Sequence, residues 1–248
     1  GDVSIVDLGS EELADWTKRC MANSPYADKL LGEAKAPEKP SVVPRAVGAG
    51  SPIKHVLYII KENRTYDQVF GDIAGANGDP GLCVFGEEVT PNAHALAKQF
   101  VLLDNLYCDA EVSVDGHMWS NAAYATDFTE KNWPSDYGKK SDTGSSDAER
   151  PASGFLWDQC AHKGLTYRSY GEFAKRQSDG TSSKMGPESP MLGLLAGHVA
   201  PDYLGWGARD TANAAEFAKE MDEFDAHYDD ADPAKRLPNY MVMTLPED

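Results

Sequence analysis

A short apolar run constrains this chain more than any other stretch. Val56, Leu57, Tyr58, Ile59 and Ile60 are uninterrupted by polar residues, and Lys61, Glu62, Asn63 and Arg64 follow at once. A run of this length without alternation predicts a strand apolar on both faces, central in a parallel sheet. Open α/β sheets hold their ligands outside the carboxyl ends of strands. A carboxylate and a carboxamide side by side at such an end are two hard oxygen donors and suit a metal ion. They suit equally a solvated loop with a helix cap, because charged loop ends are common.

The rest of the chain alternates between strand and helix signals. Residues 1–8 read as a short alternating strand. Residues 10–21 read as a helix, with Ser10 as N-cap and Glu11 and Glu12 in the first turn. Residues 33–52, rich in proline and poor in large apolar side chains, read as a linker or extended arm, which divides the chain into an arm over 1–50 and a main domain over 51–248. Pro91 near a first helical position opens a helix ending at Gln99. Residues 100–103 read as a second strand and 119–128 as an alanine-favoured helix. A polar surface loop is predicted over 134–153. A helix over 155–163 follows, with Leu156, Cys160 and Trp157 inward and Gly164 at its C′ position. Residues 165–170 give a third strand, 171–211 an irregular lid or binding loop, 211–228 an amphipathic helix striped by Phe217, Met221, Phe224 and Tyr228, and 239–245 a fourth strand. This alternation predicts an α/β fold, a mostly parallel central sheet flanked by helices.

The stretch Val112-Ser113-Val114-Asp115-Gly116-His117-Met118-Trp119-Ser120 is the second focus. Gly116 permits a tight turn, so Ser113 and His117 are predicted in a loop that leads from a strand into a helix. Free backbone amides at a helix start favour developing negative charge, a common setting for a nucleophile. An ordinary turn serine and a hydrogen-bonding histidine fit the same residues. Ser120 falls inside the predicted helix and reads as structural. His94 and His55 read as structural before catalytic, Arg64 as a phosphate contact or a salt bridge, and Asp229, Asp230 and Asp232 as a solvated helix end.

Composition narrows the partners. A formal net charge of −17 on 248 residues argues against nucleic acid, whose phosphates need a basic face. It leaves room for a phosphorylated small substrate, because a metal can supply local positive charge. No run of about 18 apolar residues marks a transmembrane helix, and Gly1-Asp2-Val3-Ser4-Ile5 shows no signal-peptide pattern. Cys20, Cys83, Cys108 and Cys160 form no CxxC. Two disulfides or four thiols are both open.

Ile59-Ile60-Lys61-Glu62-Asn63-Arg64-Thr65-Tyr66-Asp67-Gln68-Val69-Phe70-Gly71 resembles the start of the bacterial phosphoesterase family, which includes phosphatidylcholine-type phospholipases C and certain acid phosphatases and belongs to the alkaline phosphatase-like superfamily. The Ser113–Ser120 stretch and Tyr170-Gly171-Glu172-Phe173 resemble it too, so the likeness covers about residues 50–248. The resemblance implies an alkaline phosphatase-like fold, with Glu62 and Asn63 as a metal-ligand pair. It also implies Ser113 as a nucleophile that touches the metal, and His117 as an active-site residue near the phosphate. It implies a divalent metal ion (Ca, Mg, Mn, Zn or Fe), and a phosphorylated small molecule or phospholipid head group as substrate. An extracellular or periplasmic setting is expected. The first eight residues are similar to the last strand of a β-propeller that precedes this domain in some relatives.

Members of that family continue past this point with an Asp-His motif and an acidic pair that completes the metal shell. Asp248 matches the first residue of that motif, and the acidic pair is missing. The expected function is therefore a metal-dependent phosphoric ester hydrolase working through a phosphoserine. The alternative is a catalytically incomplete phosphoesterase-like binding scaffold. No Cys/Ser-x-Pro-x-Arg stretch surrounds Ser113, so a sulfatase-like reading ranks low.

Overall fold

The computed structural model describes residues 12–23, 42–43, 50–140, 147–178, 183–188 and 190–247. The chain divides into two compact units, residues 1–53 and 54–248. In the first unit, α1 (Leu13–Asn23) is the one helix among the described residues. Its Thr17 hydroxyl donates to the Leu13 carbonyl at 2.8 Å. The strand predicted over 1–8, the cap at Ser10 and most of the predicted arm lie outside the described residues.

The second unit is an α/β domain. Its main sheet has three parallel strands in the order β1 (Val56–Lys61), β5 (Tyr240–Leu245), β2 (Tyr167–Tyr170). Tyr58 and Ser169 flank Val242 from either side. The sequence predicts β1 in the centre, but the order puts β5 there instead. Among the described residues β1 is an edge strand, and Val56 and Ile59 remain 48% and 47% exposed. Position in a sheet is set by which strands pair, and an apolar run does not carry that information. β5 holds the centre, with Tyr240 to Thr244 all buried. The second predicted strand, over 100–103, is absent. No strand among the described residues pairs with it, and Val101 and Leu103 stay exposed.

Helices α2 (Tyr66–Phe70) and α3 (Pro91–Gln99) follow β1, with Pro91 in the first turn of α3. Helix α4 spans Ser113–Ala122, beginning at Ser113 where the sequence predicts Trp119, so Gly116 sits inside a helix and not in a turn. The cause is local. The buried Asp115 carboxylate turns back and accepts from the amides of Glu111 (3.0 Å) and Val112 (3.1 Å), partnering N–H groups that a helix start leaves open, and it shares the Gly116 amide (3.1 Å) with the Val112 carbonyl. Ala123 closes α4 with φ +52°, and α5 (Asp127–Tyr137) starts afresh on Thr126, which accepts from the Thr129 amide at 3.2 Å. Helix α5 runs into the predicted surface loop and carries Pro134 within it.

Helix α6 (Leu156–His162) is followed by Gly164 at φ +66°. Its Trp157 is buried and stacks on Phe155 at 4.6 Å, whereas Leu156, predicted inward, is exposed. The predicted lid contains an antiparallel hairpin, β3 (Ala174–Ser178) with β4 (Ser183–Pro187), followed by short 3-10 turns. Helix α7 (Asp210–Ala226) packs Phe217 on Tyr170 at 5.0 Å and Met221 against the same cluster. Tyr228, the predicted end of its stripe, lies past the helix and is 77% exposed. No helix among the described residues is long and apolar enough to cross a membrane.

Candidate active site

The carboxyl ends of β1, β5 and β2 meet the start of α4. β1 delivers Glu62 and Asn63 directly after Lys61, and the Glu62 amide still donates to the Leu245 carbonyl at 3.2 Å. α4 delivers Ser113 as its first residue and His117 one turn later. Glu62, Asn63, Ser113 and His117 line one open cavity of about 410 Å³, joined by Lys61 and Arg64. Ser120, predicted structural, also reaches this wall, as does the exposed Cys108. All four cysteines are free thiols.

A charged chain runs behind the cavity. The His117 ring donates from Nδ1 to Glu172 Oε1 at 2.8 Å and from Nε2 to Glu62 Oε1 at 2.9 Å. Two acceptors on one imidazole require both ring nitrogens to carry hydrogen. Burial opposes that charge, but the hydrogen bonds and charges of Glu172 and Glu62 outweigh it, and the His117 pKa is pushed up to about 10. Glu172 is 1% exposed and Glu62 9%. Glu172 Oε1 also accepts from Asn121 Nδ2 at 2.6 Å, and its Oε2 accepts from the Thr244 hydroxyl at the end of β5. Glu62 Oε2, in contrast, is buried and has no hydrogen-bond partner. A buried carboxylate oxygen left alone is costly, and it leaves one acceptor open for a water or an ion.

The cations at the rim are engaged. Lys61 pairs with Asp210 at 2.9 Å and donates to the Glu247 carbonyl at 2.7 Å. The Arg64 guanidinium lies 4.9 Å from the centre of the Phe85 ring. The other candidates sit elsewhere. His94 is held by Thr90 and Asp72, and His55 Nδ1 donates to the Pro238 carbonyl at 2.9 Å. Asp232 caps a 3-10 turn through the Ala234 amide, and Asp230 accepts from the Asp232 amide. Asp248 lies outside the described residues.

The residues missed from sequence are Glu172, Asn121, Thr244 and Asp115. Glu172 lies within the Tyr170–Phe173 segment already likened to the phosphoesterase family, but no role is assigned to it from sequence, and a glycine just past a strand is the further signal. Gly171 takes φ +85°, and a Cβ there would stand 3.1 Å from the Tyr203 ring.

The metal implied by the phosphoesterase resemblance can be tested against these donors. Among the described residues no group of three or more His, Cys, Asp or Glu side chains could hold a metal. Two carboxylates line the cavity, Glu62, whose Oε2 is without a partner, and the exposed Glu111, with Asn63 and Ser113 as neutral oxygen donors beside them. These are hard donors of the type that suits a divalent cation, and the unpartnered oxygen gives one a place to bind.

A larger cavity, about 600 Å³, lies at the opposite end of the sheet, against Met221, Phe224 and Leu237. No protein-family model matches the chain, and no curated protein or solved structure matches it either.

Proposed function

We propose that the chain is a metal-dependent hydrolase of phosphoric esters, of the bacterial phosphoesterase type and with an alkaline phosphatase-like fold, acting through Ser113. The observation that carries this reading is convergence at a strand's carboxyl end. Ser113, Glu62 and the charged His117 line one cavity, and one oxygen of Glu62 is buried without a partner. Helix α4 presents its first amides and its first-residue hydroxyl together, and both favour a phosphoryl group there.

In this mechanism Ser113 Oγ attacks phosphorus, the ester P–O bond breaks, and the alcohol departs with a proton. Water then cleaves the phosphoserine and restores the hydroxyl. His117 supplies positive charge at the cavity wall, its two N–H groups held by Glu172 and Glu62. His94 is held by Thr90 and Asp72 and does not line the cavity, so it takes no part. A divalent cation held by Glu62, Asn63 and Ser113 would lower the hydroxyl's pKa and neutralise phosphoryl oxygens. The substrate class is a phosphorylated small molecule or phospholipid head group, in an extracellular or periplasmic setting.

The thin donor set favours a second reading, a phosphoesterase-like scaffold that binds phosphate without turning it over. Hydrolysis of a chromogenic phosphate monoester and diester, with added divalent metals, on wild type and Ser113→Ala separates the two. Metal-dependent turnover lost in Ser113→Ala is the expected result. Turnover that survives the substitution would place the nucleophile elsewhere. A folded wild type that binds inorganic phosphate without turnover would leave the scaffold.

A further inference from the structure

We propose that Glu172 is the positioning residue of this site, tying the carboxyl ends of β2 and β5 to α4 and holding the His117 ring against Glu62. Its activity arm rests on the hydrolase reading; its structural arm does not.

One carboxylate joins three elements. It sits directly beyond β2, receives the hydroxyl of Thr244 from β5, and receives Asn121 and His117, a turn apart on α4. The imidazole has two rotatable torsions, and its own helix offers it no acceptor. Nδ1 is fixed by Glu172, which leaves Nε2 to face Glu62 at 2.9 Å. Asn121 and Thr244 alone would be satisfied by a neutral amide. A buried charge at this point is costly unless a cation answers it, and His117 is the ionisable donor that does.

The backbone around Glu172 points the same way. Gly171 takes φ +85° and Phe173 φ +49°, so the carboxylate sits between two left-handed residues, one of them not glycine. Such strain persists where surrounding structure over-determines a geometry, and it clusters at functional sites. The Phe173 ring anchors the turn between Phe155 (5.0 Å) and Trp157 (5.4 Å).

The experiment compares wild type, Glu172→Ala and Glu172→Gln by steady-state ester hydrolysis and by NMR of the His117 ring N–H protons. Glu172→Ala is expected to lower kcat about 10- to 100-fold with KM nearly unchanged, and to lose the far-downfield Nδ1 proton of a charge-assisted bond. Glu172→Gln keeps an acceptor in place; it should restore most of kcat and move that proton upfield. Wild-type kcat and an unmoved ring proton in a folded Glu172→Ala would overturn the proposal. Should Glu172→Ala not fold, an unshifted proton in Glu172→Gln overturns it as well. Wild type inactive on every ester sinks the hydrolase reading alone, and the ring proton then decides Glu172.

Discussion

The two ends of one three-stranded sheet are built on different terms. At the amino end, one asparagine ties the three strand starts together. Asn239 Oδ1 accepts from the Thr166 amide at 3.1 Å, its own amide donates to the Thr166 hydroxyl at 3.0 Å, and its Nδ2 donates to the Lys54 carbonyl at 3.0 Å. One side chain thus closes the starts of β1, β5 and β2. The cavity there is the larger, lined by apolar Met221, Phe224 and Leu237 with Lys54, His55, Asp225 and Arg236 around them, and among the described residues no carboxylate oxygen along it is buried without a partner. At the carboxyl end the cavity is smaller, but two buried carboxylates grip a histidine and one carboxylate oxygen has no partner. Unanswered charge, more than empty volume, distinguishes a site of chemistry from a gap in packing.

The largest expected effect tests that contrast directly. Ser113 is exposed and makes no core contact, so Ser113→Ala should lower metal-dependent ester turnover by at least about 10³-fold while stability moves by less than about 0.5 kcal/mol. Residual turnover above a tenth of wild type would break the assignment of chemistry to this end.

Asp115→Ala comes next. It strips the Glu111 and Val112 amides of their acceptor, while the Gly116 amide keeps the Val112 carbonyl, and it should cost about 1–2 kcal/mol in denaturant unfolding, with Asp115→Asn costing less. Because α4 carries both Ser113 and His117, turnover should fall with it. An unchanged unfolding midpoint would mean that α4 starts without this cap.

How far the sequence foretold these two ends depends on the range of the interaction. Local signals read well. The apolar runs of β1 and β5, Pro91 at the start of α3 and Gly164 past α6 each depend on neighbours in the chain. The start of α4 was misjudged because Gly116 suggested a turn, while Asp115, two residues past Ser113, was the decisive and legible cap. Which strand is central was not legible, because pairing joins residues 184 positions apart, as Val56 with Tyr240. Of the residues at the carboxyl-end cavity, Glu62, Asn63, Ser113 and His117 are singled out by the phosphoesterase resemblance, whereas type and spacing alone fit a capped loop and a turn serine as well. Glu172 reaches His117 across 55 residues, and only the folded sheet brings them together.

The amino end gives the third test. Asn239→Ala removes its clamp and should destabilise by about 1–2 kcal/mol. It should leave kcat and KM on phosphate esters unchanged. A loss of kcat beyond that of the folded fraction would show that the two ends are coupled.

The smallest effect concerns a charge pair that lines neither cavity, Asp72 with His94 at 2.8 Å. The His94 hydrogen bond holds the Asp72 carboxyl down at about 2. Burial would lower the His94 pKa, but hydrogen bonds to Asp72 and Thr90 outweigh it and raise the value. Asp72 therefore contributes stability above its ordinary pKa of about 3.9, and loses it as pH falls toward 2; His94 contributes below about 6.5 and loses it as pH climbs through its raised value. The Tm difference between wild type and Asp72→Asn should thus be widest between about pH 4 and 6.5, narrowing on either side. A difference constant from pH 2.5 to 9 would show that the pair acts through packing. A change in ester turnover at neutral pH would show that chemistry at the carboxyl end draws on charges beyond its own cavity.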